Sequence, residues 1–171
     1  FSIIEQRRLD LDLYRNLCVL LVETRKMLED AKSFGLKNVE LLPNAKYFNY
    51  SPPIRSFQTD IMKCYYLGRI IPEKGVDMIF QVLRAFETTG SKQIEVDFYG
   101  PIDAAYKEQF LEHLSKSKLA KYKGIIDLGN SEAYNRLSEY CLCLFPTFWE
   151  GEGFAGGIID SLIAGVPILA S

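Results

Sequence analysis

Short apolar runs alternate with amphipathic segments from about residue 61 to the end of the chain. The runs have the length of strands and lie at 62–67, 94–99, 124–128, 141–145 and 166–170. The spacing of apolar residues between them predicts helices at about 74–87, 103–116, 131–140 and 155–164. Strands and helices that alternate with short connections are typical of a parallel sheet covered by helices. The pattern therefore predicts an α/β fold with a doubly wound parallel sheet.

The first 60 residues follow a different pattern. Residues 3–16 are too irregular to predict a helix, but the apolar run at 18–23 predicts a strand. Thr24 then predicts the cap of a helix that ends at Gly35, and residues 39–42 predict a second short strand. Residues 45–60 combine aromatic, polar and proline residues without either periodicity, so they predict a linker. The boundaries are thus 1–44, a linker at 45–60, and a domain at 61–171.

Two loops of the predicted sheet should lie side by side. In the common 3-2-1-4-5 strand order of such folds, the first strand is the neighbour of the fourth, and ligands bind where the order reverses. The loop after the first strand is Gly68–Gly75, and the loop after the fourth is Pro146–Gly157. Topology therefore predicts that these two loops form one binding crevice.

The residues of these loops suggest an anion site. The second loop is rich in glycine and precedes a helix, whose N-terminal amides can bind anions. Lys74 lies in the first turn of a predicted helix, where the helix dipole disfavours a cation by about 0.3–1 kcal/mol. Arg69 precedes it in the same loop and could add a forked donor. A bound diphosphate would explain both cations.

These stretches resemble the donor site of the retaining family 4 glycosyltransferases, which have the GT-B fold. One match runs from Glu152-Gly153-Phe154 to the acid Asp160 and on through residues 164–171. The other is the Gly-Arg…Glu-Lys-Gly element at 68–75. The sequence departs from the usual motif in two ways, because the second acid is Asp rather than Glu and an extra Glu150-Gly151 precedes the first acid.

The resemblance implies a role for each matching residue. Arg69 and Lys74 would hold the pyrophosphate and, with Glu152, form the catalytic group. Glu152 would accept hydrogen bonds from hydroxyls of the donor sugar, and Asp160 would accept both ribose hydroxyls. The backbone amides of Phe154 and Ala155 would face the sugar and the distal phosphate. The remaining predicted donor-binding residues are glycines and a segment that would read the nucleobase: Gly68, Gly129, Asn130, Ser131 and Gly153.

Composition narrows the partners and the location. A net charge of −2 without a basic stripe argues against nucleic acid, and no apolar run approaches a membrane span or a signal peptide. The four cysteines lie in apolar runs without metal-ligand spacing, which indicates buried reduced thiols. We therefore expect a cytoplasmic protein, with peripheral membrane association left open for the full-length protein. No GxGxxG, Walker, GxSxG or paired CxxC motif is present, and no carboxylate ladder suggests a metal.

The resemblance therefore predicts a Rossmann-like GT-B half. It implies the donor-binding half of a retaining, metal-independent enzyme that moves a hexose from a nucleotide diphosphate sugar to a glycan or lipid-linked acceptor, without a cofactor. Residues 1–44 would be the remnant of an N-terminal acceptor domain, and residues 61–171 a donor domain truncated at its C-terminus. That fragment should bind donor without turnover, because the rest of the N-terminal domain would act in cis. A non-catalytic nucleotide-sugar binding module is the alternative, and an epimerase or phosphorylase of similar architecture is a third reading.

Overall fold

The computed structural model of the 171-residue chain describes residues 11–54, 60–90, 93–149 and 152–171. Glu150 and Gly151, which precede the matched acid in the glycine-rich loop, lie outside the described residues, as do residues 1–10 and 55–59 of the predicted first domain and linker. The chain forms two compact units. One comprises Phe1–Lys46 with Trp149–Gly156, and the other comprises Tyr47–Phe148 with Gly157–Ser171.

The first unit is built on a small parallel pair of strands. Its elements are α1 (Leu11–Arg15), β1 (Leu20–Val22), α2 (Arg25–Ser33) and β2 (Val39–Leu41). β1 pairs with β2 in parallel, and Val22, Ala31, Leu36 and Val39 form the buried core. The Thr24 hydroxyl accepts from the Met27 amide at 3.1 Å, which is the predicted helix cap. α1 was not predicted, because an exposed Asp12–Arg15 ion pair at 2.7 Å supports this single turn in place of a regular apolar face.

The second unit contains a parallel sheet of five strands in the order β5-β4-β3-β6-β7. This is the predicted 3-2-1-4-5 order. The elements, in chain order, are β3 (Met62–Leu67), a 3₁₀ turn (Pro72–Lys74), α3 (Val76–Thr88), β4 (Ile94–Tyr99), α4 (Lys107–Lys116), β5 (Ala120–Gly124), α5 (Ser131–Leu137), β6 (Leu142–Phe145), α6 (Gly156–Ile163) and β7 (Ile168–Ala170).

The two faces of this sheet have separate cores. On one face, α3 and α4 pack on alternate residues of β3 and β4, with Phe80, Phe98 and Phe110 at the centre. Phe80 and Phe98 are stacked at 5.1 Å. On the other face, residues of α5, including Leu137, and the turn after α6 pack on a cluster of buried tyrosines, Tyr65, Tyr99, Tyr134 and Tyr140. Helices on both faces confirm the doubly wound α/β fold.

The third strand of the sheet differs from its prediction. The structure has it at Ala120–Gly124, whereas the sequence indicated 124–128. The real strand lies at the edge of the sheet and exposes Lys121 and Lys123, so it lacks a continuous apolar run. The apolar residues that follow, Ile126 and Leu128, are loop residues that pack against the tyrosine core. Edge position therefore explains the error.

Candidate functional site

The loops after β3 and β6 meet, as topology predicted. Gly75 has a φ of 74°, and a Cβ at this position would overlap the carbonyl oxygen of Pro146. The Phe148 amide donates to the Glu73 carbonyl at 3.0 Å, so the second loop is fastened to the 3₁₀ turn of the first. Because β3 and β6 are adjacent and parallel, both loops leave the same edge of the sheet. Phe148 is the last residue of this part of the loop that belongs to the second unit.

The two predicted cations lie in the first of these loops, but Lys74 ends the 3₁₀ turn instead of lying in the first turn of a helix, because α3 begins only at Val76. Arg69 is exposed, and its carbonyl accepts from the Tyr66 hydroxyl at 2.7 Å, which ties the backbone to β3. Gly68 donates to the Tyr99 carbonyl at 3.0 Å, so the pairing of β3 and β4 continues into the loop. Lys74 is partly buried, and its Nζ lies 5.8 Å from the centroid of the Phe145 ring at the end of β6. Favourable contact with an aromatic face helps to hold a cation in this position.

Asp160 is buried rather than solvent-facing. It retains 7% of its exposure, and its Oδ1 accepts from the Tyr134 hydroxyl of α5 at 2.5 Å. The helix α6 that carries it lies close to β3, because a Cβ on Gly157 would come 2.7 Å from the Leu67 carbonyl oxygen. A buried carboxylate requires hydrogen-bond donors, and Tyr134 supplies one. α5 therefore orients the acid that the resemblance assigns to the ribose.

A second hydrogen bond anchors α6 to the sheet. The Ser161 hydroxyl donates to the Gly157 carbonyl at 2.7 Å and accepts from the Tyr65 hydroxyl at 2.7 Å. Tyr65 and Ser161 are both fully buried. The first turn of α6 is thus held on the carboxyl-terminal half of β3.

The segment assigned to the nucleobase caps α5. The Asn130 side chain accepts from the Ala133 amide at 3.0 Å, and the Gly129 amide donates to Asp127 Oδ1 at 3.0 Å. Gly129, Asn130 and Ser131 are all exposed. The side chain of Asn130 therefore has a structural task, and the predicted base contact would rest on exposed backbone groups.

The remaining predicted residues belong to the first unit. Glu152 and Gly153 are partly buried, as is Ala155, and the Glu152 amide donates to the Trp149 carbonyl at 3.0 Å. The Phe154 amide donates to Glu23 Oε2 at 3.0 Å. The resemblance implies that this amide faces the ligand, and in this structure it donates to the Glu23 carboxylate. The roles of the Phe154 and Ala155 amides toward the ligand stay predictions.

Two residues of the candidate site were not identified from the sequence. Tyr134 lies at an ordinary apolar position of α5, and nothing in its spacing indicated that its hydroxyl reaches α6. Glu23 gave a weak signal, because it is a carboxylate placed directly between an apolar run and a helix cap. Both act on residues distant in sequence, Tyr134 by 26 positions and Glu23 by 131. Only the folded chain brings these pairs together.

Two buried groups outside the site, the Cys64 thiol and the Tyr140 hydroxyl, have raised pKa values. Burial raises the pKa of the Cys64 thiol to about 12. Burial and the hydrogen bond to Asp97 at 2.6 Å raise the pKa of Tyr140.

The prediction of four buried thiols is only partly correct, because Cys64 and Cys143 are buried, Cys141 is intermediate and Cys18 is exposed.

Comparison with curated proteins finds similarity to a glycosyltransferase. The chain is 30% identical over 115 residues to the capsular polysaccharide biosynthesis glycosyltransferase CapH of Staphylococcus aureus. The alignment covers 67% of this chain and 31% of CapH. No family model matches the sequence.

Solved structures provide a second comparison. HepE from Anabaena, in complex with UDP and glucose, superposes with a TM-score of 0.76 at 13% identity over 99% of this chain and 48% of that chain. The pneumococcal O-GlcNAc transferase GtfA, in complex with UDP and GlcNAc, gives a TM-score of 0.65 at 17% identity over 99% and 32%. WaaG, a glycosyltransferase involved in lipopolysaccharide biosynthesis, gives 0.67 at 18% identity over 88% and 43%.

The chain has the fold of the GT-B glycosyltransferases. These likenesses in sequence and fold support a glycosyltransferase of the GT-B type. The chain spans about a third of CapH and about half of HepE, so the activity of a whole protein is a separate question.

Among the described residues, no helix is both long and apolar enough to cross a membrane.

Proposed function

We propose that this chain is the donor-binding half of a retaining glycosyltransferase. It would take part in the transfer of a hexose from a nucleotide diphosphate sugar to a glycan or lipid-linked acceptor, in polysaccharide or glycoconjugate synthesis. The observation that carries the proposal is the junction of the two loops at Gly75 and Pro146, on the sheet edge that also receives the first turn of α6. UDP in complexes of HepE and of GtfA supports a nucleotide-sugar donor.

Arg69 and Lys74 would bind the diphosphate in this proposal. Both follow β3 in the loop that contacts the β6 loop, and the glycine at 157 lets the start of α6 come close to the same strand end. Cations and helix amides together stabilise the negative charge that develops on a departing diphosphate. The chemistry needs no metal ion if these groups neutralise that charge, so we propose a metal-independent transfer.

The two carboxylates would bind different parts of the donor. Asp160 would accept the ribose hydroxyls, and Tyr134 would orient its carboxylate by donating to Oδ1. Glu152 would accept hydroxyls of the transferred hexose, and the Ala155 amide would donate to the same part of the ligand. This division makes nucleotide affinity depend on Asp160 and sugar affinity on Glu152.

Acceptor recognition and part of the catalytic apparatus would come from an N-terminal GT-B domain acting in cis. The proposal therefore predicts donor binding by these residues without turnover, and a cytoplasmic location for the parent protein. A non-catalytic nucleotide-sugar binding module remains the second candidate, favoured by Asp in place of Glu at position 160. Sugar transfer by the full-length protein would support the glycosyltransferase, whereas nucleotide-sugar binding without transfer would support the binding module.

The test begins with a thermal-shift screen of the chain against UDP, GDP and ADP and their sugars, followed by calorimetry with the best ligand. Arg69→Ala and Lys74→Ala should each weaken the diphosphate by about 1.5–3 kcal/mol, since each removes a charge-assisted hydrogen bond. The loss should shrink at higher salt, because charges at an exposed site are screened over about 10 Å at 0.1 M. The corresponding nucleoside without phosphates should be nearly unaffected.

Arg84→Ala provides the matched control, because Arg84 is an exposed cation of α3. The affinity of Arg84→Ala for the nucleoside diphosphate should equal that of the unsubstituted chain. If Arg69→Ala and Lys74→Ala also equal the parent, the diphosphate does not bind at this loop and the proposed function is refuted.

A further inference from the structure

Two side chains of the first unit hold the peptide groups of Phe154. Glu23 Oε2 accepts from the Phe154 amide at 3.0 Å, and Asn44 Nδ2 donates to the Phe154 carbonyl at 2.9 Å. The partners lie 131 and 110 positions away in the sequence. Both hydrogen-bonding groups of one loop residue are therefore satisfied by side chains from distant segments.

These two side chains come from equivalent places in the fold. Glu23 directly follows β1, and Asn44 lies three residues beyond the end of β2. Because the two strands are parallel, both side chains leave the carboxyl edge of the pair. The hydrogen bonds thus fasten the loop to one edge of the first unit.

Gly153 makes this close approach possible. A Cβ at position 153 would overlap Glu23 Oε2 and would also lie 3.5 Å from Glu23 Cβ. The carboxylate of Glu23 therefore lies against the Cα of Gly153 while it accepts from the next amide. Any side chain at this position would displace the carboxylate, since the carboxylate is the movable partner.

We propose that Glu23 and Asn44 are positioning residues for the donor sugar. By holding the backbone at Phe154, they set the direction of Glu152 on one side and of the Ala155 amide on the other. Glu23 would act through the loop amide from which it accepts a hydrogen bond. This inference rests on the proposed function and adds to it two residues outside the matched motifs.

The proposal separates the two halves of the ligand. A loosened loop should weaken contacts to the hexose, whereas the nucleoside diphosphate would depend on Arg69, Lys74 and Asp160. The probe is whichever of UDP-glucose, ADP-glucose and GDP-mannose binds the parent chain most tightly, compared with its own nucleoside diphosphate. Glu23→Ala should weaken the sugar nucleotide about 5-fold, the equivalent of one ordinary hydrogen bond, and leave the diphosphate unchanged.

Two variants control this experiment. Glu23→Gln keeps an oxygen that can accept from the Phe154 amide, so its affinities should return to those of the parent. Glu29→Ala removes an exposed carboxylate of α2 and should have no effect. Loss of sugar affinity in Glu23→Gln as large as in Glu23→Ala would show that charge, and not the loop hydrogen bond, is what matters, which contradicts the proposal.

Gly153→Ala reaches the same contact from the loop side. It should displace the Glu23 carboxylate and weaken the sugar nucleotide to a similar degree. Glu23→Ala and Gly153→Ala break the same interaction. The double variant should therefore bind the sugar nucleotide no more weakly than the single variant with the lower affinity. Losses that multiply would contradict the proposal, as would parental affinity in Glu23→Ala. Absence of binding by the parent chain would instead refute the proposed function, and this inference with it.

Discussion

The hydrogen bond between Tyr134 and Asp160 allows a sharp test of how α5 supports α6. Tyr134→Phe removes only the hydroxyl, which donates to Asp160 Oδ1 at 2.5 Å in a buried setting. The ring should stay in place, because it packs against Phe48 and Tyr50 with centroid distances of 4.5 and 5.5 Å. The variant therefore isolates one charge-assisted hydrogen bond from the aromatic packing around it.

The expected loss follows from the charge and burial of the acceptor. A hydrogen bond to a charged group contributes about 1.5–3 kcal/mol to the free energy of unfolding. For a chain of this size, each kcal/mol corresponds to a fall of about 2–4 °C in Tm. Affinity for a nucleoside diphosphate should also fall, because the Asp160 carboxylate loses the donor that orients it.

Tyr50→Phe is the matched control, since it removes a hydroxyl from the same aromatic cluster. That hydroxyl donates to Asn135 Oδ1 at 2.9 Å in an exposed setting, and a neutral hydrogen bond contributes only about 0.5–1.5 kcal/mol. Urea unfolding followed by circular dichroism gives both free energies. If Tyr134→Phe is no less stable than Tyr50→Phe, the Asp160 carboxylate does not depend on this donor and the reasoning is wrong.

Two further predictions concern the carboxylates and alkaline pH. Asp160→Asn should weaken a nucleoside diphosphate and its sugar conjugate about equally, whereas Glu152→Gln should weaken only the conjugate; calorimetry in which both variants affect both ligands identically would contradict the assigned roles. The raised pKa values of Cys64 and Tyr140 favour their neutral forms in the folded chain, compared with ordinary values of 9.0 and 10.0. Their contribution to stability is complete below pH about 9 and is lost as the pH rises further, because the unfolded chain then releases protons that the folded chain retains. Urea unfolding across this range should show falling stability above pH about 9, and stability that rises instead would refute the pKa assignments.

The alternation of apolar runs determined the fold class, and the strand order followed from the common topology of such folds. The segments 62–67 and 94–99 form interior strands of the sheet. The first is continuously buried from Cys64 to Leu67, and the second alternates apolar with charged residues before Phe98 and Tyr99, so both are visible as strand patterns in the sequence. The same reasoning placed Arg69 and Lys74 in a loop that contacts the loop after β6. Glycine positions also carried information, because Gly75 occupies the left-handed region in which a side chain is strained.

The tertiary structure alone decided the features that depend on an element's surroundings. The edge strand at Ala120–Gly124 escaped detection because one side of it faces solvent, which removes the apolar run. The burial of Asp160 depends on Tyr134, and the position of the Phe154 amide depends on Glu23. A pattern along the chain records the periodicity of one element at a time, whereas these contacts join side chains whose distance in sequence carries no periodic signal.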